Sequence, residues 1–218
     1  MKKSYLVIGA GRFGTSVATA LYELGHHVMV VDEDESIIQQ ISSQVTDAVT
    51  ADITSEASLK AIGVRDFDAV VLAIGANTQS SIMAAILLTE MEARYIIAKA
   101  DSELHGKVLQ KIGVNQVVYP ERDTGHKLAH SLIAPTFIDM IELSDEYSVV
   151  EVKAPEDMVG KTLLDVDLRA RFGINVIALR RNHGQKTVIS PTAEDTIEAE
   201  DIIVAIGKNK SLQKIKWI

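Results

Sequence analysis

Short apolar runs alternate with helix-like segments over roughly the first 130 residues of this chain. Each run is rich in β-branched residues and has the length of a buried strand. Gly25, Gly63 and Gly113 directly follow three of the helix-like segments, where a left-handed C-terminal cap is favoured. This alternation predicts a doubly wound parallel sheet, an α/β fold. The predicted strands are Tyr5 to Ile8, His27 to Val31, Asp47 to Ala51, Ala69 to Ile74, Tyr95 to Lys99 and Gln116 to Tyr119, and the predicted helices are Phe13 to Leu24, Glu35 to Ser42, Glu56 to Ile62, Gln79 to Met91, Glu103 to Ile112 and Asp123 to Leu132.

The alternation stops after Leu132, and a smaller α+β domain with a mixed or antiparallel sheet is expected beyond it. We predict an N-terminal domain of residues 1–134, a linker of residues 135–146 and a C-terminal domain of residues 147–218. Within the linker, Phe137 to Leu143 is predicted as a short helix or strand. The small sheet would expose an apolar face that dimerisation could cover. The predicted elements are strand Ser148 to Lys153, helix Thr162 to Phe172, strand Asn175 to Arg181, a turn at Asn182-His183-Gly184, strand Lys186 to Ile189 and strand Asp201 to Ile206.

Composition narrows the classes of partner. The net charge of −8 disfavours a nucleic-acid backbone, whose binding depends on Lys and Arg contacts to phosphates. The chain has no cysteine, which excludes disulfides, thiolate zinc sites and cysteine nucleophiles. The first apolar run ends at Ile8 and is too short for a signal peptide or a membrane span. We therefore expect a cytoplasmic protein that reaches a membrane only through a partner.

A glycine-rich loop lies between the first predicted strand and helix. Gly9-Ala10-Gly11-Arg12-Phe13-Gly14 fits G-x-G-x-x-G, the dinucleotide-binding fingerprint of Rossmann-type domains. Gly9 would permit the tight turn, Gly11 the approach of a pyrophosphate and Gly14 the packing of helix on sheet. Asp32 ends the second strand, where its carboxylate can accept hydrogen bonds from a ribose diol and would repel a 2′-phosphate. The loop and Asp32 predict a site for NAD, ADP or ATP in preference to NADP.

Arg12 adds a fixed cation to this loop. A guanidinium beside the phosphates can clamp a terminal phosphate on its own or a neighbouring chain. The alternative is a solvated surface arginine without a ligand.

Other polar residues follow strands and should meet at the carboxyl edge of the sheet, where such folds bind ligands. Asp52 and the segment Ile74, Gly75 and Asn77 would line the adenosine side, or act only as loop caps. Lys99 and Glu121 could meet phosphates and a cation that bridges them. Glu121 could instead interact only with the start of its own helix.

Catalytic motifs are weak. Tyr95 and Lys99 have the spacing of a dehydrogenase pair, but that pair requires a helix and this segment reads as a strand. His126 and His130 lie one helical turn apart without a third ligand, which is more typical of a solvated helix face. No catalytic base is evident in the C-terminal domain. The residues therefore favour a binding protein over an enzyme, with a small NAD-dependent oxidoreductase as the alternative and a redox-sensing DNA-binding regulator as a third class.

The motifs resemble those of the peripheral subunits of Ktr/Trk-type potassium uptake systems, which consist of an N-terminal RCK (KTN or TrkA-N) domain and a C-terminal RCK (TrkA-C) domain. The Ktr-A/Ktr-C branch is the most similar. The resemblance covers nearly the whole chain, including Leu168-Arg169-Ala170-Arg171-Phe172-Gly173-Ile174-Asn175 in the C-terminal domain. Its other segments are the glycine loop with Asp32, Ala73 to Asn77, Val108 to Gly113, Tyr119 to Asp123 and Leu143 to Ser148.

The resemblance implies a regulatory subunit without enzymatic activity, whose dimers assemble into an octameric ring. Bound ATP or ADP would gate a membrane-embedded potassium-translocating subunit at the inner face of the membrane. It also implies that Arg12 reaches the γ-phosphate across a dimer contact and that Glu121 helps to hold a divalent or monovalent cation. Cyclic di-AMP would occupy the C-terminal dimer interface, at positions that match Arg169, Ile174, Asn175 and Pro191. Such a two-fold ligand suits a self-complementary interface.

Overall fold

The computed structural model describes residues 2–75, 77–134, 136–181, 185–215 and 217, with the side chain of His130 outside the description. The chain forms two compact units, Met1–Arg122 and Asp123–Ile218. The predicted turn at 182–184 and the junction residue Pro135 lie outside the described residues. No helix in the described part of the chain is long and apolar enough to cross a bilayer.

The first unit is a six-stranded parallel sheet flanked by helices, which confirms the predicted α/β class. The strand order is β3-β2-β1-β4-β5-β6, so the direction of winding reverses between β1 and β4. This reversal opens a crevice at the carboxyl ends of those two strands. The elements are β1 (Ser4–Ile8), α1 (Arg12–Glu23), β2 (His27–Asp32), α2 (Glu35–Ile41), β3 (Asp47–Thr50), α3 (Glu56–Ile62), β4 (Ala69–Leu72), α4 (Thr78–Glu90), β5 (Ile96–Lys99), α5 (Glu103–Ile112), β6 (Gln116–Val118) and α6 (Pro120–Ile133).

The central strands are apolar on both faces because helices cover both sides of a parallel sheet. Leu6, Val7 and Ile8 of β1 are fully buried, and they divide between two hydrophobic clusters, one on each face. This burial explains why the apolar runs in the sequence are continuous and do not alternate.

Glycines end several helices as predicted. Gly63 and Gly113 cap α3 and α5 with φ of 73° and 109°, and Gly25 follows α1 with φ of 85°. These are left-handed conformations that glycine adopts at little steric cost.

Gly106 of α5 lies at very short range from Tyr119. A Cβ atom added to Gly106 would lie within 2.7 Å of the Tyr119 ring carbon that carries the hydroxyl, and closer still to the hydroxyl oxygen. Tyr119 directly follows β6, and its ring also stacks under the Arg122 guanidinium at 4.0 Å. A glycine in the helix therefore makes room for this phenol.

The prediction for α6 was wrong at its start, since the helix begins at Pro120 and not at Asp123. Proline suits the first helical position because it lacks an N–H group that would have no partner there. The helix runs across the boundary between the two units.

The second unit contains a five-stranded antiparallel sheet, which confirms the smaller α+β class. Its strand order is β10-β9-β11-β8-β7. The connecting segment contributes the edge strand β7. The elements are β7 (Phe137–Glu142), β8 (Tyr147–Lys153), α7 (Leu163–Val166), α8 (Leu168–Phe172), β9 (Asn175–Arg181), β10 (Lys186–Ile189), β11 (Ile202–Lys208) and α9 (Asn209–Lys214).

The predicted helix from Thr162 to Phe172 is two short helices, α7 and α8. Asp167 interrupts it with φ of 47°, and its carboxylate accepts a hydrogen bond from the backbone N–H of Ala170 to cap α8. Thr162 and Asp165 form a capping box at the start of α7. Two N-terminal caps five residues apart favour two helices over one.

Candidate functional site

The glycine loop leaves β1 at the sheet's carboxyl edge and enters α1 at Arg12. Gly9 has φ of 95°, and a Cβ atom there would lie 3.1 Å from the carbonyl carbon of Ala73. A Cβ atom on Gly14 would lie within 3.0 Å of the Gly9 carbonyl carbon and closer to its oxygen. A Cβ atom on Gly11, by contrast, would meet nothing within 4 Å. Two glycines thus allow the turn and the packing of the helix, and the third leaves open space in front of the helix N-terminus.

Asp32 ends β2 and faces this loop. Its Oδ2 accepts a hydrogen bond from the Ala10 N–H at 2.6 Å, and its Oδ1 accepts one from the Asp34 N–H at 3.0 Å. A carboxylate has about four acceptor sites, so capacity remains for a ribose diol. Asp32 therefore both anchors the loop and presents negative charge to the crevice.

A pocket of about 260 Å³ occupies the crevice, and we call it the crevice pocket. Six predicted residues line it: Gly9, Gly11, Asp32, Ile74, Gly75 and Asn77. The sequence analysis missed five others: Glu33, Ile37, Ile53, Ala73 and Ser80. Ser80 lies in the first turn of α4. Asn77 caps this helix by accepting a hydrogen bond from the Ser80 N–H at 3.1 Å, so the N-cap at Asn77 could have identified Ser80 as a pocket residue.

Asp52 does not line the crevice pocket. It lies two residues beyond the end of β3, and its Oδ1 accepts hydrogen bonds from the N–H and hydroxyl of Thr54 at 2.8 and 2.7 Å. These bonds, the hydroxyl first, lower the pKa of Asp52. The geometry favours the loop-cap alternative for this residue, and the adjacent Ile53 contacts the pocket instead.

Lys99 and Glu121 lie together at the ends of β5 and β6. The Lys99 Nζ is 2.5 Å from the Glu121 Oε1, and the lysine side chain is largely buried while the carboxylate is exposed. The Lys99 hydrogen bond is the main cause that lowers the pKa of Glu121, and the charge of Arg12 contributes in the same direction. The charges of Arg12, Lys99 and Glu121 therefore interact with one another at the sheet edge, and none of the three residues lines the crevice pocket.

Phe13 and Gly14 are also outside the crevice pocket. Phe13 is half-buried and packs against the hydrophobic cluster between α1 and the sheet. Its local role is to hold α1 on the sheet.

A second pocket of about 290 Å³ lies in the C-terminal unit, and we call it the C-domain pocket. All four predicted residues line it: Arg169, Ile174, Asn175 and Pro191. Arg169 and Asn175 are exposed, whereas Ile174 is fully buried in the core of the unit. The lining residues that the sequence analysis missed are Leu163, Leu164, Asp167, Leu168, Val176, Thr192 and Ala193.

An ion pair with Asp165, four residues earlier in the chain, is the alternative role for Arg169, but Asp165 is engaged elsewhere. Asp165 accepts hydrogen bonds from the N–H and hydroxyl of Thr162 at 3.0 and 2.7 Å. The break at Asp167 also separates Asp165 and Arg169 into different helices. Between these two described side chains no ion pair forms, which leaves the Arg169 guanidinium available to the C-domain pocket.

The remaining candidates do not assemble into a site. Tyr95 lies just outside β5, so Tyr95 and Lys99 are not on a helix. Within the described residues, no group of three or more His, Asp or Glu side chains could hold a metal ion. A larger cavity of about 540 Å³ is lined by Glu56, Arg65 and Met91 among others, at the far end of α4 from Asn77, and it contains none of the predicted residues.

Comparisons with known proteins agree with this architecture. Residues 5–120 match the TrkA-N domain family, and residues 148–216 match the TrkA-C domain family. Ktr system potassium uptake protein C of Bacillus subtilis (strain 168) is 42% identical over 216 residues, covering 99% of this chain and 97% of that protein. Ktr system potassium uptake protein A of the same organism is 39% identical over 214 residues, covering 98% of this chain and 96% of that protein.

A solved structure described as the GsuK RCK domain shares the fold with a TM-score of 0.72 at 18% identity. It covers 100% of this chain, which corresponds to 47% of that longer chain. The two domain matches and the relatives at 39% and 42% identity confirm the resemblance found in the sequence. The chain belongs to the family of TrkA-N and TrkA-C domain proteins that includes the Ktr system potassium uptake proteins.

Proposed function

We propose that this chain is a regulatory subunit that binds an adenine nucleotide in the crevice pocket and thereby gates a membrane-embedded potassium-translocating partner. The observation that carries the proposal is the crevice pocket itself, in which Gly11 leaves open space before the α1 N-terminus and Asp32 faces the same crevice. The N–H groups of the helix N-terminus attract phosphate, and Asp32 would accept hydrogen bonds from the ribose diol. ATP and ADP are the preferred ligands, and NAD or NADH would satisfy the same contacts.

The terminal phosphate would bind outside the crevice pocket. Arg12 begins α1 directly after Gly11, and a guanidinium there can form paired charge-assisted hydrogen bonds to a γ-phosphate of its own or a second copy of the chain. Lys99 and Glu121 complete this charged edge. A divalent or monovalent cation would use Glu121 as one ligand and phosphate oxygens as others, since oxygen donors suit such ions.

Self-association would allow a nucleotide-dependent change of conformation to be transmitted to the partner. Leu128, Leu132 and Ile133 of α6 expose 59%, 75% and 78% of their surface, which is typical of a helix that packs against another copy. Dimers assembled into an octameric ring would convert the ATP/ADP difference into a change of ring shape. The chain would then be cytoplasmic and peripheral to the inner face of the cell membrane through its partner.

Cyclic di-AMP is the proposed second ligand, bound in the C-domain pocket. Arg169 of each copy would meet one phosphate, and Asn175 offers a donor and an acceptor to a base edge. Since Ile174 is fully buried, apolar contact with adenine falls more to Pro191 and the exposed Leu164.

Affinity measurements on purified, nucleotide-stripped protein test the proposal. Calorimetric titration should detect ATP and ADP, and light scattering should give the mass of a ring with either nucleotide bound. If neither ATP nor ADP bound, nucleotide gating would be refuted. Binding of NADH alone, with oxidation of NADH in the presence of a reducible substrate, would favour the alternative of a small oxidoreductase.

A further inference from the structure

Three polar residues next to the crevice pocket form one hydrogen-bonded group, which we call the Asp101 cluster: Thr78, Asp101 and His105. The Asp101 Oδ2 accepts the Thr78 hydroxyl at 2.8 Å, and its Oδ1 accepts the Ser102 hydroxyl at 3.1 Å. The Asp101 Oδ1 is also 2.9 Å from the His105 Nδ1. One carboxylate thus joins the start of α4 to the start of α5.

His105 fixes the carboxylate from the side of α5. Its side chain is only 2% exposed, and its Nε2 is buried with no hydrogen-bond partner among the described residues. The short contact to an ionised carboxylate assigns the proton to Nδ1, since the Asp101 N–H lies farther from that nitrogen, at 3.4 Å. The Thr78 hydroxyl is the main cause that lowers the pKa of Asp101, with His105 acting in the same direction.

Thr78 connects this cluster to the crevice pocket. It is the first residue of α4, between Asn77 and Ser80, and both of those residues line the pocket. Thr78, Asp101 and His105 do not line it. The Thr78 hydroxyl therefore holds the first turn of α4, and with it one wall of the pocket, without lining the pocket itself.

A second contact joins the same two chain segments. A Cβ atom on Gly75 would lie 3.0 Å from the Lys99 Nζ, so the lysine side chain packs against the backbone that follows β4. Lys99 precedes Asp101 by two residues. The end of β5 and the residues that follow it thus contact the segment after β4 and the start of α4 at two points, one of them a single hydrogen bond that mutation can remove.

We infer that Asp101 is a positioning residue for the nucleotide site, holding Asn77 and Ser80 in place through the Thr78 hydroxyl. This inference rests on the proposed binding of adenine nucleotides in the crevice pocket. It adds that affinity depends on a carboxylate that does not line the pocket, and that α5 is joined to the pocket wall through His105, Asp101 and Thr78.

Calorimetric affinities for ATP and ADP test the inference with Thr78→Val, Thr78→Ser and Asp101→Asn. Valine keeps the shape of threonine and removes the hydroxyl, so both nucleotides should bind about three- to tenfold more weakly. This is less than the full loss of a hydrogen bond to a charged group, because the bond acts on the ligand only through the position of α4. Serine keeps the hydroxyl and should restore affinity to within about twofold of wild type. Asp101→Asn should weaken binding in the same direction as Thr78→Val.

Ser102→Ala is the matched control. It removes another hydrogen bond to the same carboxylate, and the N-cap of α5, but leaves Thr78 bound to Asp101. Its melting temperature should fall while its nucleotide affinity stays at the wild-type value. Wild-type affinity in Thr78→Val, or an equal loss in Ser102→Ala, would overturn the inference while the proposed function stands. Absence of nucleotide binding by the wild-type protein would overturn both.

Discussion

Gly14 packs so closely on Gly9 that a Cβ atom at Gly14 would overlap the Gly9 carbonyl oxygen. The contact joins the first turn of α1 to the loop that precedes it. It separates the structural glycines of the loop from the one that leaves room for a ligand.

Gly14→Ala should therefore destabilise the protein, and Gly11→Ala should not. Relief of the Gly14 clash requires a backbone shift, so we expect a loss of about 2 kcal/mol and a melting temperature lower by about 5 °C or more. A Cβ atom on Gly11 enters open space at φ of −65°, so stability should change by less than about 0.5 kcal/mol. Gly11→Ala should still weaken ATP and ADP binding, because its methyl group occupies the approach of the phosphates. Equal melting temperatures for the two variants would contradict this assignment.

Asp68 gives the fold a pH-dependent link between β1 and the turn before β4. Its Oδ2 accepts the Ser4 N–H at 2.8 Å, and this backbone bond is the main cause that lowers the pKa of Asp68 from 3.8. A lowered folded-state pKa stabilises the fold above the unfolded value, and the stabilisation disappears as the pH falls through the folded value. Asp68→Asn should have a lower melting temperature than wild type at pH 7. The difference between the two melting temperatures should narrow at pH values below about 4. A gap that is constant from pH 7 to about pH 2.5 would count against the link.

Asp32→Ala should weaken ATP, ADP and NAD together, by about tenfold or more, because all three ligands share the ribose diol. The substitution also removes the acceptor for the Ala10 N–H, so the loop loses its anchor in the same step. Asp52→Ala is the matched control, since its carboxylate is hydrogen-bonded to Thr54 and does not line the crevice pocket. Calorimetric affinities that are unchanged in Asp32→Ala would remove Asp32 from the site.

Arg12→Ala should reduce the discrimination between ATP and ADP while sparing ADP. Only ATP presents a terminal phosphate, and the lost charge-assisted contact should weaken ATP binding by about 1.5–3 kcal/mol. Arg12→Lys should recover part of the discrimination, because lysine keeps the charge but not the paired geometry. Equal losses for the two nucleotides would indicate a general role in the loop.

Arg169→Ala should abolish binding of cyclic di-AMP at micromolar concentrations. Arg171→Ala provides the control within the same short helix. The Arg171 guanidinium donates to the Val166 carbonyl and lines a different pocket, so its loss should leave the affinity unchanged. If the wild type does not bind cyclic di-AMP, or if the two variants bind it with equal affinity, the C-domain pocket has another role.

Local patterns predicted the sheet well because the strands are buried on both faces. The continuous apolar runs through Leu6, Val7 and Ile8 or through Val70 and Val71 leave few alternatives to a parallel strand. The glycine loop was predictable for a related reason, since Gly9 and Gly14 each answer a local steric demand.

The errors arose where two local signals compete or where tertiary packing decides. Pro120 and Asp123 both suit a helix start, and the earlier one begins α6. Thr162 and Asp167 both suit an N-cap, and both are used. Ile53 reaches the crevice pocket because of how the chain leaves β3, which no spacing in the sequence records.

The contact between Gly106 and Tyr119 restricts which residues these two positions can hold together. Any side chain at position 106 would collide with the phenol, whereas a shorter residue at position 119 would free that space. A larger residue at position 106 therefore requires a smaller one at position 119. In an alignment, glycine at the first should accompany tyrosine at the second, and larger residues at the first should accompany smaller ones at the second.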